Sequence, residues 1–230
     1  MENHVKKNKD KPFFLFFSSH DIHVPRMPHE RFHGKTKLGF RGDAIVQFDW
    51  CVGEMMKTLD RLGIAENTLV ILCSDNGPVL DDGYKDGAVT KLGKHKPAGI
   101  YKGGKYTLYE GGTRTPFITR WLGTIKPGVS EQIVCTVDLA GSMAAMTEQK
   151  LAKDACPDSF DVLDALLGKA GAKGRDHLIP QAAIRKSARS SRWIGATATI
   201  KQSTTASVAS AGTPADTPPV GATKTWPTNG

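Results

Sequence analysis

The sequence feature that most constrains the fold is an unbroken apolar and β-branched run over residues 68–73, which stops at the polar residues 74–78. A run without alternation predicts a strand buried on both faces, as in a sheet covered by helices. The polar end places Asp75 and Asn76 where open α/β sheets bind ligands, and their oxygens suit Ca²⁺ or Mg²⁺. The same Asp-Asn-Gly-Pro sequence is also typical of a simple turn, so the stretch alone leaves both interpretations open.

A second apolar run, residues 12–17, predicts another buried strand. It also ends in a polar cluster, which contains His20, Asp21 and His23. Two strands that end in polar clusters are what a doubly wound sheet needs at its ligand-binding edge. Histidines in such a position serve either as structural hydrogen-bonding groups or as catalysts, and the pattern does not decide between the two.

Between these strands, apolar residues recur at spacings of three and four over residues 43–62, which predicts a helix that ends at Gly63. Strand, loop, helix and strand in this order predict a right-handed crossover between parallel strands. Further elements are predicted downstream: strands at 116–121 and 131–137, and helices at 137–146 and 161–167.

Residues 77–104 form a long predicted loop, and a loop of this length in a compact domain is usually functional or disordered. After it, glycine pairs flank Lys105 and precede Arg114. Glycines allow a backbone to approach an anion closely, so the two cations could face one. A solvated hairpin explains the same residues, and both explanations stay open.

A chain of 230 residues is long enough for one sizeable core or for part of a larger one. The net charge of +8 invites a nucleic-acid function. However, six of the positive residues, against Asp216 alone, follow Gln181, and no basic helix or aromatic-interleaved stripe is present. We therefore expect no nucleic-acid partner, whereas anionic small substrates remain compatible with the charge.

Four cysteines, Cys51, Cys73, Cys135 and Cys156, form no Cys-x-x-Cys pair, and we expect buried thiols. No run reaches transmembrane length, so we expect no membrane insertion. The first ten residues lack the apolar core of a signal peptide, which predicts either an intracellular protein or a true N-terminus further upstream.

The composition changes at about residue 181, where Ala, Thr, Ser, Gly and Pro become dominant. Such a tract cannot bury enough apolar surface to offset its ordering entropy, so residues 181–230 are predicted to be an irregular, low-complexity tail. A flexible linker to another module is one explanation. We favour the hypothesis that the reading frame shifts near residue 181.

Taken together, several stretches resemble the sulfatase (arylsulfatase) family of the alkaline-phosphatase-like superfamily. They are KPFFL at 11–15, SHDIHVP at 19–25, LGIAENTLVI at 62–71, SDNGP at 74–78, KHKPAG at 94–99, GGKY at 103–106 and YEGGTRTPF at 109–117. The resemblance implies that residues 1–180 are the C-terminal part of a sulfatase catalytic domain. It implies an α/β fold: an alkaline-phosphatase-like sheet with helices on both faces, incomplete at the N-terminus.

The resemblance also implies roles for individual residues. Asp75 and Asn76 match the metal ligands of the family, which usually hold one Ca²⁺ ion. Lys105 matches the lysine that contacts the sulfate, and His23 matches the histidine that protonates the leaving group. His20 and His95 are possible substrate-binding residues. The implied substrate is a sulfated small molecule or glycan, and the implied location of the whole protein is periplasmic or secreted.

One departure limits the resemblance. Sulfatases attack with a formylglycine made from the first residue of a Cys/Ser-x-Pro-x-Arg motif, and this chain contains no such motif. The resemblance therefore implies a sulfuric ester hydrolase whose nucleophile lies in a missing upstream part, and we expect this chain alone to be inactive. Two alternatives remain: a phosphodiesterase or phosphonate monoester hydrolase of the same superfamily, and a non-catalytic remnant.

Overall fold

The computed structural model describes residues 1–8 and 10–180 of the chain. In chain order the helices and strands are α1 (Glu2–Lys7), α2 (Gly39–Arg61), β1 (Val70–Cys73), α3 (Glu110–Thr113), β2 (Phe117–Arg120), α4 (Leu139–Met146) and α5 (Leu163–Leu166). Short 3₁₀ turns occur at Glu30–Phe32, Ala65–Asn67 and Thr136–Asp138. The tail that the sequence predicts at 181–230 lies outside the described residues.

Helix α2 confirms the predicted helix at 43–62 and begins four residues earlier. Its N-terminal turn is fixed by the buried carboxylate of Asp43, which accepts hydrogen bonds from the backbone N–H groups of Gly34 (2.9 Å) and Thr36 (2.8 Å). At its C-terminus, Gly63 adopts a φ of +66° and donates its N–H to the Asp60 carbonyl. This left-handed residue ends the helix where the sequence predicts.

The described residues contain one sheet, in which β1 and β2 pair antiparallel, with Val70 opposite Arg120 and Cys73 opposite Phe117. β1 and β2 confirm the predicted strands near 68–73 and 116–121. The predicted parallel crossover is not formed within the described residues, because residues 12–17 form no strand and β1 pairs antiparallel with the later β2. The predicted strand at 131–137 is also wrong, since only an isolated bridge joins Ile133 to Arg175.

Residues 12–17 do not form the predicted buried strand. Phe14 and Phe16 are 83% and 80% exposed, and Leu15 and Phe17 are also exposed. The backbone of this segment forms no hydrogen bond to the rest of the described chain. A strand exists only when a neighbour completes its ladder, so an apolar sequence alone cannot produce one.

The main core lies behind β2 and consists of Phe117, Val134, Val162, Ala165 and Leu166, each at most 5% exposed. It joins β2 to α5, and the Thr119 hydroxyl donates to the Leu166 carbonyl (2.8 Å) across this contact. α4 and α5 confirm the predicted helices at 137–146 and 161–167, although α5 is shorter. This core fixes β2, and β2 in turn fixes the end of β1.

All four cysteines are free, and none is buried: Cys73 and Cys156 are exposed, while Cys51 and Cys135 are partly exposed. The expectation of buried thiols is therefore wrong: Cys73 ends β1 at the edge of the sheet, and Cys51 lies on a partly exposed stretch of α2. Of the helices in the described ranges, none combines the length and the apolar character needed to span a bilayer.

Candidate active site

Strand β1 delivers Asp75 and Asn76 to the edge of the sheet, as the sequence predicts. The Ser74 N–H donates to the Pro116 carbonyl (3.3 Å), and the Thr115 hydroxyl donates to the Ser74 carbonyl (3.0 Å), so the end of β1 is held by the start of β2. Beyond this point Asp75 is exposed, and its carboxylate has no hydrogen bond or ion pair within the described chain.

Close packing between glycines brings Lys105 to the edge of the sheet at which Asp75 and Asn76 lie. A Cβ atom on Gly77 would lie 1.9 Å from the Gly111 carbonyl oxygen, so only glycine allows these two segments to touch. Backbone hydrogen bonds then join them: the Gly77 N–H donates to the Gly112 carbonyl, and the Lys105 N–H donates to the Pro78 carbonyl, both at 2.9 Å. Lys105 is thereby fixed beside the residues that follow Asp75 and Asn76.

The lysine side chain meets His23, although 82 positions separate the two residues. Lys105 Nζ lies 3.4 Å from His23 Nε2, and His23 Nδ1 lies 2.7 Å from the Val24 carbonyl oxygen. A carbonyl oxygen only accepts hydrogen bonds, so Nδ1 carries a proton. Nε2, which faces Lys105, is therefore the ring nitrogen that can gain and lose a proton.

Tyr106 gives this loop an unusual backbone. Its φ of +74° is uncommon for a residue other than glycine, and such conformations concentrate at functional sites. The Tyr106 hydroxyl donates to the Asp82 carboxylate (3.1 Å), and Lys105 Nζ lies 5.4 Å from the centre of the Tyr106 ring. The Tyr106 ring thus lies beside the Lys105 ammonium.

The structure brings His20 to this group but does not join His95 to it. The His20 ring packs edge-on against His23, with 6.4 Å between the ring centres. Both rings line a cleft of about 220 Å³. His95 is exposed, and among the described contacts its backbone N–H bonds to Leu92 O while its ring makes none.

The sequence reasoning missed two residues that support the His23 loop, Gln47 and Arg26. Asp21 Oδ1 accepts a hydrogen bond from Gln47 Nε2 of α2 (2.6 Å), and Asp21 Oδ2 accepts one from the Ser19 hydroxyl (2.9 Å). Arg26 is buried in the same cleft wall and pairs with Asp86. The only sequence signal for Gln47 was a polar residue within an apolar helical pattern, and its partner is 26 positions away.

The free oxygens at the end of β1 fit a hard divalent cation. Asn76 Nδ2 donates to the Gly77 carbonyl (2.9 Å), and among the described residues neither Asn76 Oδ1 nor the Asp75 carboxylate has a hydrogen-bond partner. Ca²⁺ takes six to eight oxygen ligands. Across the described ranges no group of three or more His, Cys, Asp or Glu residues could hold a metal ion, so these two residues supply only part of a shell.

The sequence model of the Sulfatase family matches residues 2–148. This chain belongs to the sulfatase family. The sulfatase chain is 49% identical over 177 residues to the N-acetylgalactosamine-6-O-sulfatase of Bacteroides thetaiotaomicron, covering 77% of this chain and 34% of that protein. It is 34% identical over 162 residues to human arylsulfatase A, covering 70% of this chain and 30% of that protein.

A solved structure confirms the fold of the sulfatase chain. It comes from work on glycosaminoglycan metabolism by Bacteroides thetaiotaomicron, and it superposes with a TM-score of 0.75 at 48% identity. The match covers 79% of this chain and 38% of the solved chain. This sulfatase chain therefore spans about a third of the length of the relatives that it matches.

Proposed function

We propose that this sulfatase chain supplies the metal-binding and leaving-group side of a site that hydrolyses sulfate esters. The observation that carries the proposal is the 3.4 Å contact between His23 Nε2 and Lys105 Nζ. The Lys105 ammonium and the protonatable Nε2 of His23 meet there, beside the segment that follows the unpaired carboxylate of Asp75. Membership of the family favours sulfate ester hydrolysis as the reaction. The contact identifies His23 and Lys105 as the two residues that would assist departure of the leaving group.

In sulfate ester cleavage, negative charge develops on the oxygen of the leaving alcohol. Lys105 presents an ammonium group that stabilises this charge electrostatically. His23 holds its Nδ1 proton on the Val24 carbonyl, so Nε2 is the nitrogen that must first take up a proton from solvent and then donates it to the departing oxygen. The two residues thus assist departure of the same group.

Asp75 and Asn76 would hold the Ca²⁺ ion, which supplies charge neutralisation for the sulfate oxygens when bound. Their hard oxygen donors match this ion. No other described residue forms a hydrogen bond with the Asp75 carboxylate or with Asn76 Oδ1. The formylglycine nucleophile does not fit any residue of this chain, because no cysteine or serine is followed by Pro at the second position and Arg at the fourth. We therefore place no step of the attack on these residues.

The proposed substrate is a sulfated glycan or small molecule. The relative with 49% identity is named for N-acetylgalactosamine-6-O-sulfate, and arylsulfatase A is named for aryl sulfates. The first relative has the higher sequence identity to this chain, 49% against 34%, which favours a sugar sulfate as the substrate. A periplasmic or secreted location for the whole protein belongs to the same proposal.

A chimera tests the function. The residues of this chain replace the matching stretch of the Bacteroides thetaiotaomicron relative, and turnover of N-acetylgalactosamine 6-sulfate and 4-nitrophenyl sulfate is measured. We expect the chimera to hydrolyse both esters and residues 1–230 alone to hydrolyse neither, with or without added Ca²⁺. Preference of the chimera for an aryl phosphodiester or phosphonate ester would contradict the assignment to sulfate, and turnover by the isolated chain would contradict the missing nucleophile.

A further inference from the structure

Arg26 lies three residues after His23, and its side chain is 1% exposed. Nη1 pairs with the Asp86 carboxylate at 2.5 Å. The remaining donors are used by three backbone carbonyls: Ile22 (3.2 Å, from Nε), Val79 (2.7 Å, from Nη2) and Leu80 (3.4 Å, from Nη1). One guanidinium therefore joins the His23 loop to the segment 79–86.

The segment that Arg26 binds also forms the backbone hydrogen bond that positions Lys105. Val79 directly follows Pro78, whose carbonyl accepts the backbone N–H of Lys105. A continuous path of contacts thus runs from His23 through Arg26 and residues 78–79 to Lys105. Hydrogen bonds of a buried charged group are strong and directional, so the path fixes the relative positions of its two ends.

Burial alone does not give an arginine hydrogen bonds to two separate segments. Arg41, in the first turn of α2, is 5% exposed, yet its Nη1 has no hydrogen-bond partner within the described part of the chain. Arg26, in contrast, uses every side-chain nitrogen. The difference indicates that the bonds of Arg26 follow from its place between the two loops.

We propose that Arg26 is a positioning residue, which holds His23 against Lys105 by locking the His23 loop to the segment that follows Asp75 and Asn76. The role rests on the proposed function, since it matters for catalysis only if His23 protonates a leaving group. Asp86 contributes to this positioning, because its carboxylate neutralises and orients the buried guanidinium of Arg26.

The expected kinetic signature depends on the leaving group. A sugar alkoxide needs a proton to depart, whereas 4-nitrophenolate is stable without one. Misplacing His23 therefore slows hydrolysis of N-acetylgalactosamine 6-sulfate by up to about 100-fold, the cost of roughly 1 Å of misalignment. Hydrolysis of 4-nitrophenyl sulfate changes much less. A general loss of folding would lower both rates equally.

The main test variant is Arg26→Met combined with Asp86→Leu, made in the chimera. Replacing a buried ion pair by apolar residues of similar volume is often neutral for stability, so this variant removes the tie without leaving an unpaired charge. Arg26→Lys is the second variant: it keeps the charge but cannot reach all the acceptors of the planar guanidinium. We expect both to lower kcat for the sugar sulfate selectively, with little change in KM. Equal losses on both esters, or no loss, would overturn the proposal.

A second readout needs no activity. In residues 1–230, the nuclear Overhauser contact between the His23 ring and the Lys105 ε-methylene group reports their proximity. We expect this contact in the unaltered chain and in the exposed control Lys169→Met, and its loss in Arg26→Met with Asp86→Leu. A contact that persists in the double variant refutes the positioning role. If the unaltered chimera is inactive on both esters, the proposed function fails, while this contact still decides the role of Arg26.

Discussion

Asp138 and Asp75 are both aspartates at the edge of a structural element, but the protein uses them in opposite ways. Asp138 is completely buried, and its carboxylate accepts hydrogen bonds from the N–H groups of Cys135 (2.9 Å) and Phe160 (3.0 Å) and a bidentate contact from Arg175. Asp75 is exposed, and its carboxylate has no such partner in the described ranges. One carboxylate is fully satisfied within the chain, and the other is available for a ligand.

The contrast extends to the cations. Arg175 pairs with Asp138, and that hydrogen bond raises the pKa of Arg175 above its ordinary value. Lys105 is not paired with any carboxylate in the described part of the chain; its ammonium faces His23 instead. Arg175 and Asp138 neutralise each other, whereas Asp75 and Lys105 have no partner of opposite charge among the described residues. The predictions below test this division.

The largest effect on stability is expected for Arg175→Met, which would leave the buried Asp138 carboxylate without its cation. Removing one partner of a buried pair costs about 3–5 kcal/mol, measured as the free energy of unfolding in urea. Lys169→Met breaks an ion pair with Asp164 in which both side chains are more than half exposed, and we expect a change below about 1 kcal/mol. Similar losses in the two variants would show that Asp138 does not depend on Arg175.

A smaller, electrostatic effect is expected at Cys73, two residues before Asp75. Loss of solvent around the thiol raises the pKa of Cys73, and the negative charge of Asp75 raises it further. Asp75→Asn removes that charge, so the pKa of Cys73 should fall and more thiolate should be present at any pH below it. Alkylation of Cys73 by iodoacetamide at pH 8, followed by peptide mass spectrometry, should become faster.

Cys156 is the internal control, since it is exposed and far from Asp75 in sequence. Its alkylation rate should be the same in both proteins. Unchanged alkylation of Cys73 would mean that the Asp75 carboxylate is already neutralised, which would contradict its description as an unpaired charge.

The smallest effect is expected for the stability of Asp75→Ala. An exposed carboxylate without a partner contributes little to folding, so the free energy of unfolding should change by less than about 0.5 kcal/mol. A loss of several kcal/mol would show that Asp75 is a structural residue like Asp138, and would remove the reason to regard it as a ligand.

Local patterns in the sequence were sufficient for elements that depend on their own residues. The apolar spacing of α2 and the stop at Gly63 predicted that helix, and the apolar run before Asp75 predicted β1. Motif matches then placed Asp75 and Lys105 in one site, and the structure brings the segments that carry them together. These features follow from residues that are close in sequence or from a family pattern.

Features that depend on distant partners could not be predicted. The apolar run at 12–17 predicted burial, but burial requires a neighbouring strand, and the described chain does not supply one. The antiparallel pairing of β1 with β2 and the tie between Arg26 and Asp86 join residues that are 44 to 60 positions apart. A local pattern carries no information about which distant residue completes it.

The most direct test of the central claim compares two neighbouring lysines in the chimera. Lys105 contacts His23, whereas Lys102 is exposed and packs over the Tyr109 ring at 4.2 Å. We predict that Lys105→Ala lowers kcat for N-acetylgalactosamine 6-sulfate by about 100- to 1000-fold, the usual cost of removing a group that stabilises developing charge. Lys102→Ala should leave kcat nearly unchanged. Equal and small effects of the two substitutions would contradict the assignment of Lys105 and His23 to the leaving-group side of a sulfatase site.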